Sequence, residues 1–200
     1  MKRPELENLP VLLEEAQGNY SYEDSSSSYS GRFILFSYEN LLAIDLYAAY
    51  FSAASIRYSP DSTLLYLPMN GELLIMNRQD ELPLEGWEIP ISPLASGYLG
   101  KIPPLSDSAK WLGDSFVIYK NKLSYYQNKK KELVKIKAMD WELIRSGSLA
   151  KIANRAKHIL FKKGKAQLIL DFTDLAIKKL DPSLIFTLTP PEGTKIIDYR

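Results

Sequence analysis

The chain has 200 residues, 46% of them hydrophobic and 24% charged, which is long enough to bury a core without a staple and too apolar for global disorder. It has no cysteine, which excludes disulfides, thiolate catalysis and Cys-ligated zinc or iron, and one histidine, His158, which excludes multi-His metal sites. A net charge of +1 hides an asymmetry: residues 1–100 carry 5 basic and 14 acidic side chains and residues 101–200 carry 20 and 10, so an acidic half precedes a basic one.

Met1-Lys2-Arg3 is followed by Pro4-Glu5-Leu6-Glu7 rather than an apolar run, and no segment reaches the roughly 20 apolar residues of a membrane span; this reads as a cytoplasmic protein. Leu9, Leu12, Leu13 and Ala16 fall at helical spacing behind Asn8 and Pro10, predicting a short N-terminal helix within residues 1–18 that ends at Gly18. Residues 19–31, with Tyr20, Tyr22, Tyr29 and the run Ser25-Ser26-Ser27-Ser28, read as a mobile polar loop. Residues 32–200 then form a single β-rich domain, with a possible subdivision near residue 105, where the charge changes sign.

Phe33–Phe36 and Leu41–Tyr47 flank a turn at Tyr38-Glu39-Asn40 and predict a hairpin; a helix from Ser37 to about Ser52 is the competing reading. Ser55–Gln79 predicts three strands and two turns, Ser59-Pro60-Asp61-Ser62 and Asn70-Gly71, the second with the composition of a two-residue type I′ loop. Residues 80–108, punctuated by Pro83, Gly86, Pro90, Pro93, Gly97, Gly100 and Pro103-Pro104, read as a long connection or a set of very short edge strands. A turn at Gly113-Asp114-Ser115 and another at Lys120-Asn121-Lys122 repeat the order of the Ser55 unit. Lys129–Lys131 turns into Leu133–Lys137, whose alternating lysines suit an edge strand. Trp141–Lys157 is ambiguous, with helical spacing at Leu149, Ile152, Ala153 and Ala156. Ile159–Leu170 predicts a hairpin about Lys163-Gly164-Lys165, Asp171–Leu180 a short helix, and Leu184–Thr189 with Lys195–Ile197 a closing hairpin.

The order strand, Ser-Pro-Asp-Ser turn, strand, Asn-Gly turn, strand resembles a blade of a WD40-like β-propeller. The resemblance is best at Ser55–Gln79 and looser at Lys110–Lys137. It implies β-meander structure and, at roughly 40–50 residues per blade, about four blades. The fold expected is therefore mainly β, with antiparallel hairpins in meander order, propeller-like or as stacked sheets, a short N-terminal helix and one or two helices near residues 148–180.

No Gly-x-Ser-x-Gly elbow accompanies His158 and no Gly-rich phosphate loop occurs, so a serine triad and nucleotide-driven chemistry lack their usual parts. Asp171/Asp174 and Glu14/Glu15, the carboxylates closest in sequence, fall at predicted helix ends, where they suit the helix dipole or face water, so the hydrolase alternative rests on a carboxylate pair brought together across strands. Lys120, Lys122 and Lys137 join Tyr119, Tyr125, Tyr126, Lys129, Lys130, Lys131 and Lys135 in a composition that would suit single-stranded nucleic acid, a second alternative. The leading expectation is a non-catalytic protein-interaction module, an adaptor or an inhibitor of the immunity-protein type, that needs no cofactor or metal. It would bind another protein with an acidic surface through Tyr119, Tyr125, Tyr126, Lys129, Lys130, Lys131 and Lys135.

Overall fold

A computed structural model describes residues 10–59, 61–77, 81–84, 87–101, 109–120, 122–149 and 155–200, with 81–84 and 87–90 as backbone only. Its elements in chain order are β1 (Val11–Glu23), β2 (Ser28–Tyr38), β3 (Leu41–Ala48), β4 (Phe51–Tyr58), β5 (Ser62–Leu67), β6 (Glu72–Asn77), β7 (Glu81–Leu84), β8 (Trp87–Pro90), α1 (Ile91–Leu99), β9 (Ala109–Leu112), β10 (Ser115–Lys120), β11 (Leu123–Gln127), β12 (Leu133–Lys137), β13 (Trp141–Ser146), β14 (His158–Lys163), β15 (Ala166–Leu180), α2 (Pro182–Phe186) and β16 (Lys195–Asp198). The protein is mainly β and its strands follow antiparallel meander order, as the sequence predicts. The chain divides into two compact units, one of Met1–Gly18, Gly31–Ile91 and Asp174–Arg200, the other of Asn19–Ser30 and Ser92–Thr173.

In the first unit the strands lie in the order β16-β6-β5-β4-β3-β2-β1-β15, with β1, β2 and β15 contributing the parts that belong to it. The hairpin about Glu39-Asn40 forms as expected, Tyr38 pairing with Leu41 and Glu39 taking φ +52°. The Ser59–Ser62 turn forms through a hydroxyl: Ser59 Oγ donates to Ser62 O at 3.0 Å and accepts from Ser62 N at 3.1 Å. The Asn70-Gly71 loop is longer than a type I′ hairpin. Leu67 pairs with Glu72 across four residues, and only Gly71 adopts a left-handed φ, +62°, while Asn70 does not. The expected closing hairpin is absent. Pro182–Phe186 is α2, opened by Asp181 accepting from Ser183 N at 2.8 Å, and β16 runs parallel to β6 with Lys195 opposite Glu72.

In the second unit the order is β15-β14-β13-β12-β11-β10-β9. Tight turns at Gly113-Asp114, at Lys122 and at Gly164-Lys165 make the expected hairpins, with Gly113, Lys122 and Gly164 at positive φ. These runs of hydrogen-bonded neighbours overturn the propeller resemblance, because a blade is a separate four-stranded sheet whereas each unit keeps pairing beyond four strands. β12 is not an edge strand: it pairs with β11 on one side and β13 on the other.

The expected helices are the other correction. Val11–Gly18 is strand, and Leu12, placed in the predicted helical stripe, is 69% exposed while Leu13 and Ala16 are buried. β1 has a strand on either side, so long-range pairing outweighs the local spacing. Asp171–Leu180 lies within β15, where Leu168, Leu170 and Phe172 alternate toward the core. Residues 19–23 and 28–31 also belong to strands, leaving a turn at Asp24–Ser27 in which Asp24 accepts from Ser26 N and Ser27 N. α1 falls in a stretch that reads as a connection. Its Pro93 sits in the first turn, where no N–H is required, and its Gly97 lets the helix approach β13 closely. The start of the predicted N-terminal helix, Pro60, Asn121, the boundary near residue 105, and residues 150–154 lie outside the described residues.

Candidate functional site

Cross-strand register decides which side chains share a face, because directly opposed residues on antiparallel strands point the same way. In the first unit it aligns Leu35 with Ile44, Ile44 with Ile56, Ile56 with Leu65 and Leu65 with Leu74, a rung of hydrocarbon across five strands. Phe33, Leu46 and Ala54 form a flanking rung. On the other side Ser37, Leu42, Tyr58, Thr63 and Met76 form a third, tinged with hydroxyls. Apart from half-buried Leu46 all these residues are buried, Leu65 and Thr63 wholly so, and none carries a charge. Each fully buried Leu, Ile or Phe contributes about 1.5–3 kcal/mol to folding, so the face is also the unit's core. Thr63 is its anomaly: Oγ1 has no hydrogen-bond partner in the protein, which costs about 1–3 kcal/mol.

The opposite face of the same strands is mixed. Ile34, Phe36, Leu64, Tyr66 and Ile75 are half-buried there around an ion pair, Arg57 Nη1 to Asp45 Oδ1 at 2.8 Å. Tyr47 nearby has its phenol pKa pushed up by burial and then by the Asp45 charge.

In the second unit Ile118, Tyr125, Ile136, Leu143, Phe161 and Leu168 line one face. α1 packs on this unit through Gly97 against Leu143 and Tyr98 against Phe172, ring centroids 5.2 Å apart. Arg155 lies over the Tyr98 ring at 5.5 Å and donates to Leu99 O at 2.9 Å, placing a cation at the helix C-terminus. Arg145 donates to Leu133 O beside the β11–β12 bulge; burial, then Arg155, lowers its pKa to about 10.

The predicted Tyr/Lys surface does not assemble on one face. Tyr119, Tyr126 and Lys135 share the side away from Leu143, whereas Tyr125 stands opposite Ile118 and Ile136 on the other. Lys135 sits 5.7 Å from the Tyr126 ring and 2.6 Å from Glu142, whose pKa it lowers chiefly through that hydrogen bond. Lys129, Lys130 and Lys131 are exposed in the β11–β12 turn, with Lys129 paired to Asp114 at 2.8 Å.

Of the carboxylates closest in sequence, Asp171, Asp174 and Glu15 each hold a local or cross-strand contact. Asp171 meets His158 Nδ1 at 2.5 Å, Asp174 accepts from Leu175 N, and Glu15 accepts from Lys178 at 2.7 Å and from Gln17 at 2.8 Å. Ser146 stands opposite His158 in register, but Ser146 is exposed and the His158 and Asp171 side chains are 42% and 49% open, which leaves that row in bulk water. Among the described residues no group of three or more His, Asp or Glu could hold a metal, and no helix is long and apolar enough to cross a membrane. The three rungs of the first unit were the part that sequence reasoning missed. Their one sequence signal was the alternation Thr63-Leu65 and Leu74-Met76 about the predicted turns.

No protein-family model matches the chain, and no curated protein matches it. Solved structures do. A putative outer membrane lipoprotein-sorting protein domain from Vibrio parahaemolyticus superposes with a TM-score of 0.58 at 14% identity, over 83% of this chain and 85% of that one. A LolA superfamily protein from Nitrosomonas europaea gives 0.58 at 11%, over 91% of each chain. A DUF1329 family protein from Desulfovibrio piger gives 0.51 at 10%, over 88% and 89%. These likenesses replace the WD40-like resemblance and overturn the adaptor, immunity-protein, nucleic-acid and hydrolase readings together with the cytoplasmic location. They give no support to an acidic partner surface. The chain shares its fold with lipoprotein-sorting and LolA superfamily structures.

Proposed function

We infer that the protein binds a hydrophobic ligand and carries it without chemical change, the ligand being the acyl portion of a lipid or of a lipid-modified partner protein. The observation that carries this reading is the uncharged face of the first unit, whose rungs run across β2 to β6 while the reverse face holds the Asp45–Arg57 pair. A face of hydrocarbon several strands wide matches an acyl chain in chemistry and length, and removing the ligand's own hydrocarbon from water supplies the binding energy at about 25 cal/mol per Å². The description of one neighbour as a putative outer membrane lipoprotein-sorting protein domain favours the same reading and an envelope location for the work.

Because Leu65 and Thr63 are fully shielded, a ligand reaches them only when the protein segments that shield them move aside. Association should therefore be slower than diffusion allows. The test is native mass spectrometry of the purified protein with and without added acyl lipid, alongside displacement of N-phenylnaphthylamine fluorescence. Bound acyl mass and saturable displacement are expected. Leu65→Asp, which places a charge on the central rung, should abolish both if it folds, and Ile56→Ala should weaken them without a charge. An absence of acyl mass and of displacement in the wild type would overturn the reading.

A further inference from the structure

We propose that Thr63 is a ligand-binding residue: its hydroxyl donates a hydrogen bond to the neutral carbonyl, ester or amide, at the head of an acyl chain lying on the first unit's apolar face. This rests on the hydrophobic-ligand reading and names the chemistry at one end of it. Thr63 is wholly buried, and its Oγ1 has no partner in the protein. Buried hydroxyls are ordinarily satisfied, and a valine would fill the same space on a strand without desolvating an O–H. The residue lies on the rung where hydroxyl-bearing side chains collect, with Tyr58 opposite it on β4 and Ser37 two strands further along, both buried. The next rung, Leu35, Ile44, Ile56, Leu65 and Leu74, is hydrocarbon throughout.

Residues two apart on a strand are separated by roughly 7 Å, so a chain laid across the hydrocarbon rung brings its first carbonyl within reach of the hydroxyl rung. The charge balance selects the head group. None of the three rungs offers a cation to pair with a carboxylate, whereas an ester or amide carbonyl needs only the one donor that Thr63 has to give.

The experiment measures affinities of four probes for the wild type and for Thr63→Val, Thr63→Ala and Thr63→Ser: methyl laurate for a lipid ester, N-lauroyl alaninamide for an acylated protein amine, laurate anion, and tetradecane. Thermal denaturation shows which variants are folded. Thr63→Val should weaken methyl laurate, the amide probe or both by about three- to tenfold, the loss of one hydrogen bond, and leave tetradecane within about twofold. The carbonyl probe that loses more identifies the source of the ligand. Thr63→Ser should keep the carbonyl preference, Thr63→Ala should lose it, and laurate should bind the wild type more weakly than its ester. Equal loss for tetradecane and the carbonyl probes, or no loss for any, overturns the role of Thr63 while leaving the hydrophobic-ligand reading standing. Failure of all four probes to bind the wild type overturns both.

Discussion

Arg57 and Asp45 meet side to side on the half-buried face of the first unit, Nη1 to Oδ1 at 2.8 Å and Nη2 to Oδ2 at 3.3 Å, with their side chains only 13% and 19% exposed. A two-point contact in that setting fixes the stagger of β3 against β4, since Asp45 itself is opposite Ser55 and Arg57 opposite Ala43. Removing one partner strands the other: Arg57→Met or Asp45→Ala should each lower stability by about 2–3 kcal/mol. The double variant should lose less than the sum. Urea denaturation of the four proteins gives the coupling directly, and additive losses would show that the pair does not interact.

Gly97 is the contact that lets α1 seat on the second unit. A Cβ there would lie 2.8 Å from Leu143 Cδ2 and 2.9 Å from Cδ1, and Leu143 is fully buried. Those methyls can turn, so Gly97→Ala should cost about 1–2 kcal/mol after the helix-propensity gain, and Gly97→Val more. Gly97→Ala combined with Leu143→Val should recover part of the loss in thermal denaturation. A Gly97→Ala protein as stable as the wild type would remove the close approach as a constraint.

Asp24 organises the β1–β2 turn, and its pKa falls to about 2, first through the hydrogen bond from Ser26 N and next through the Tyr22 hydroxyl, which donates at 2.7 Å. A carboxyl with a depressed folded pKa stabilises above its unfolded value near 3.9 and loses that stabilisation as pH falls toward 2. The turn should therefore loosen between about pH 4 and 2, seen as changing amide shifts at Ser26 and Ser27 that follow the Asp24 carboxyl titration. Asp24→Asn should abolish that step. Tyr22 shows the opposite sign: burial, then Asp24, raises its phenol to about 12, so its contribution is complete below pH 10 and is lost as pH rises through 12.

Lys131 holds φ +62° in the β11–β12 turn, where Asn128 Oδ1 accepts from Lys130 N at 2.9 Å and from Glu132 N at 3.0 Å. The backbone there asks for glycine, so Lys131→Gly should raise stability by up to about 1 kcal/mol in chemical denaturation. Changing Lys129, Lys130 and Lys131 together to Glu should alter stability by no more than about 1 kcal/mol, because the charges are exposed. Acyl-probe affinity should be unaffected by either change; a large loss would place the ligand in the second unit.

Local chemistry in the sequence determined several of the hairpins and their turns. Gly113, Gly164 and the Ser59–Ser62 hydroxyls act within a few residues, so the hairpins about them are legible without knowing any distant partner. The same local reading fails wherever a distant strand decides. Leu9, Leu12, Leu13 and Ala16 have the spacing of a helix, yet Val11–Gly18 extends because β2 and β15 lie on either side of β1. Likewise Lys195–Asp198 pairs with β6, more than a hundred residues earlier, rather than with its neighbour in sequence. The candidate site belongs wholly to that second kind of information. Thr63 and Leu65 read as ordinary strand residues, and only the register of β2 through β6 aligns Ser37, Tyr58 and Thr63 on one rung beside a rung of hydrocarbon. Composition singled out tyrosine and lysine, but the two-residue period of a strand sends Tyr125 and Tyr126 to opposite faces, and pairing alone fixes which of them meets the core.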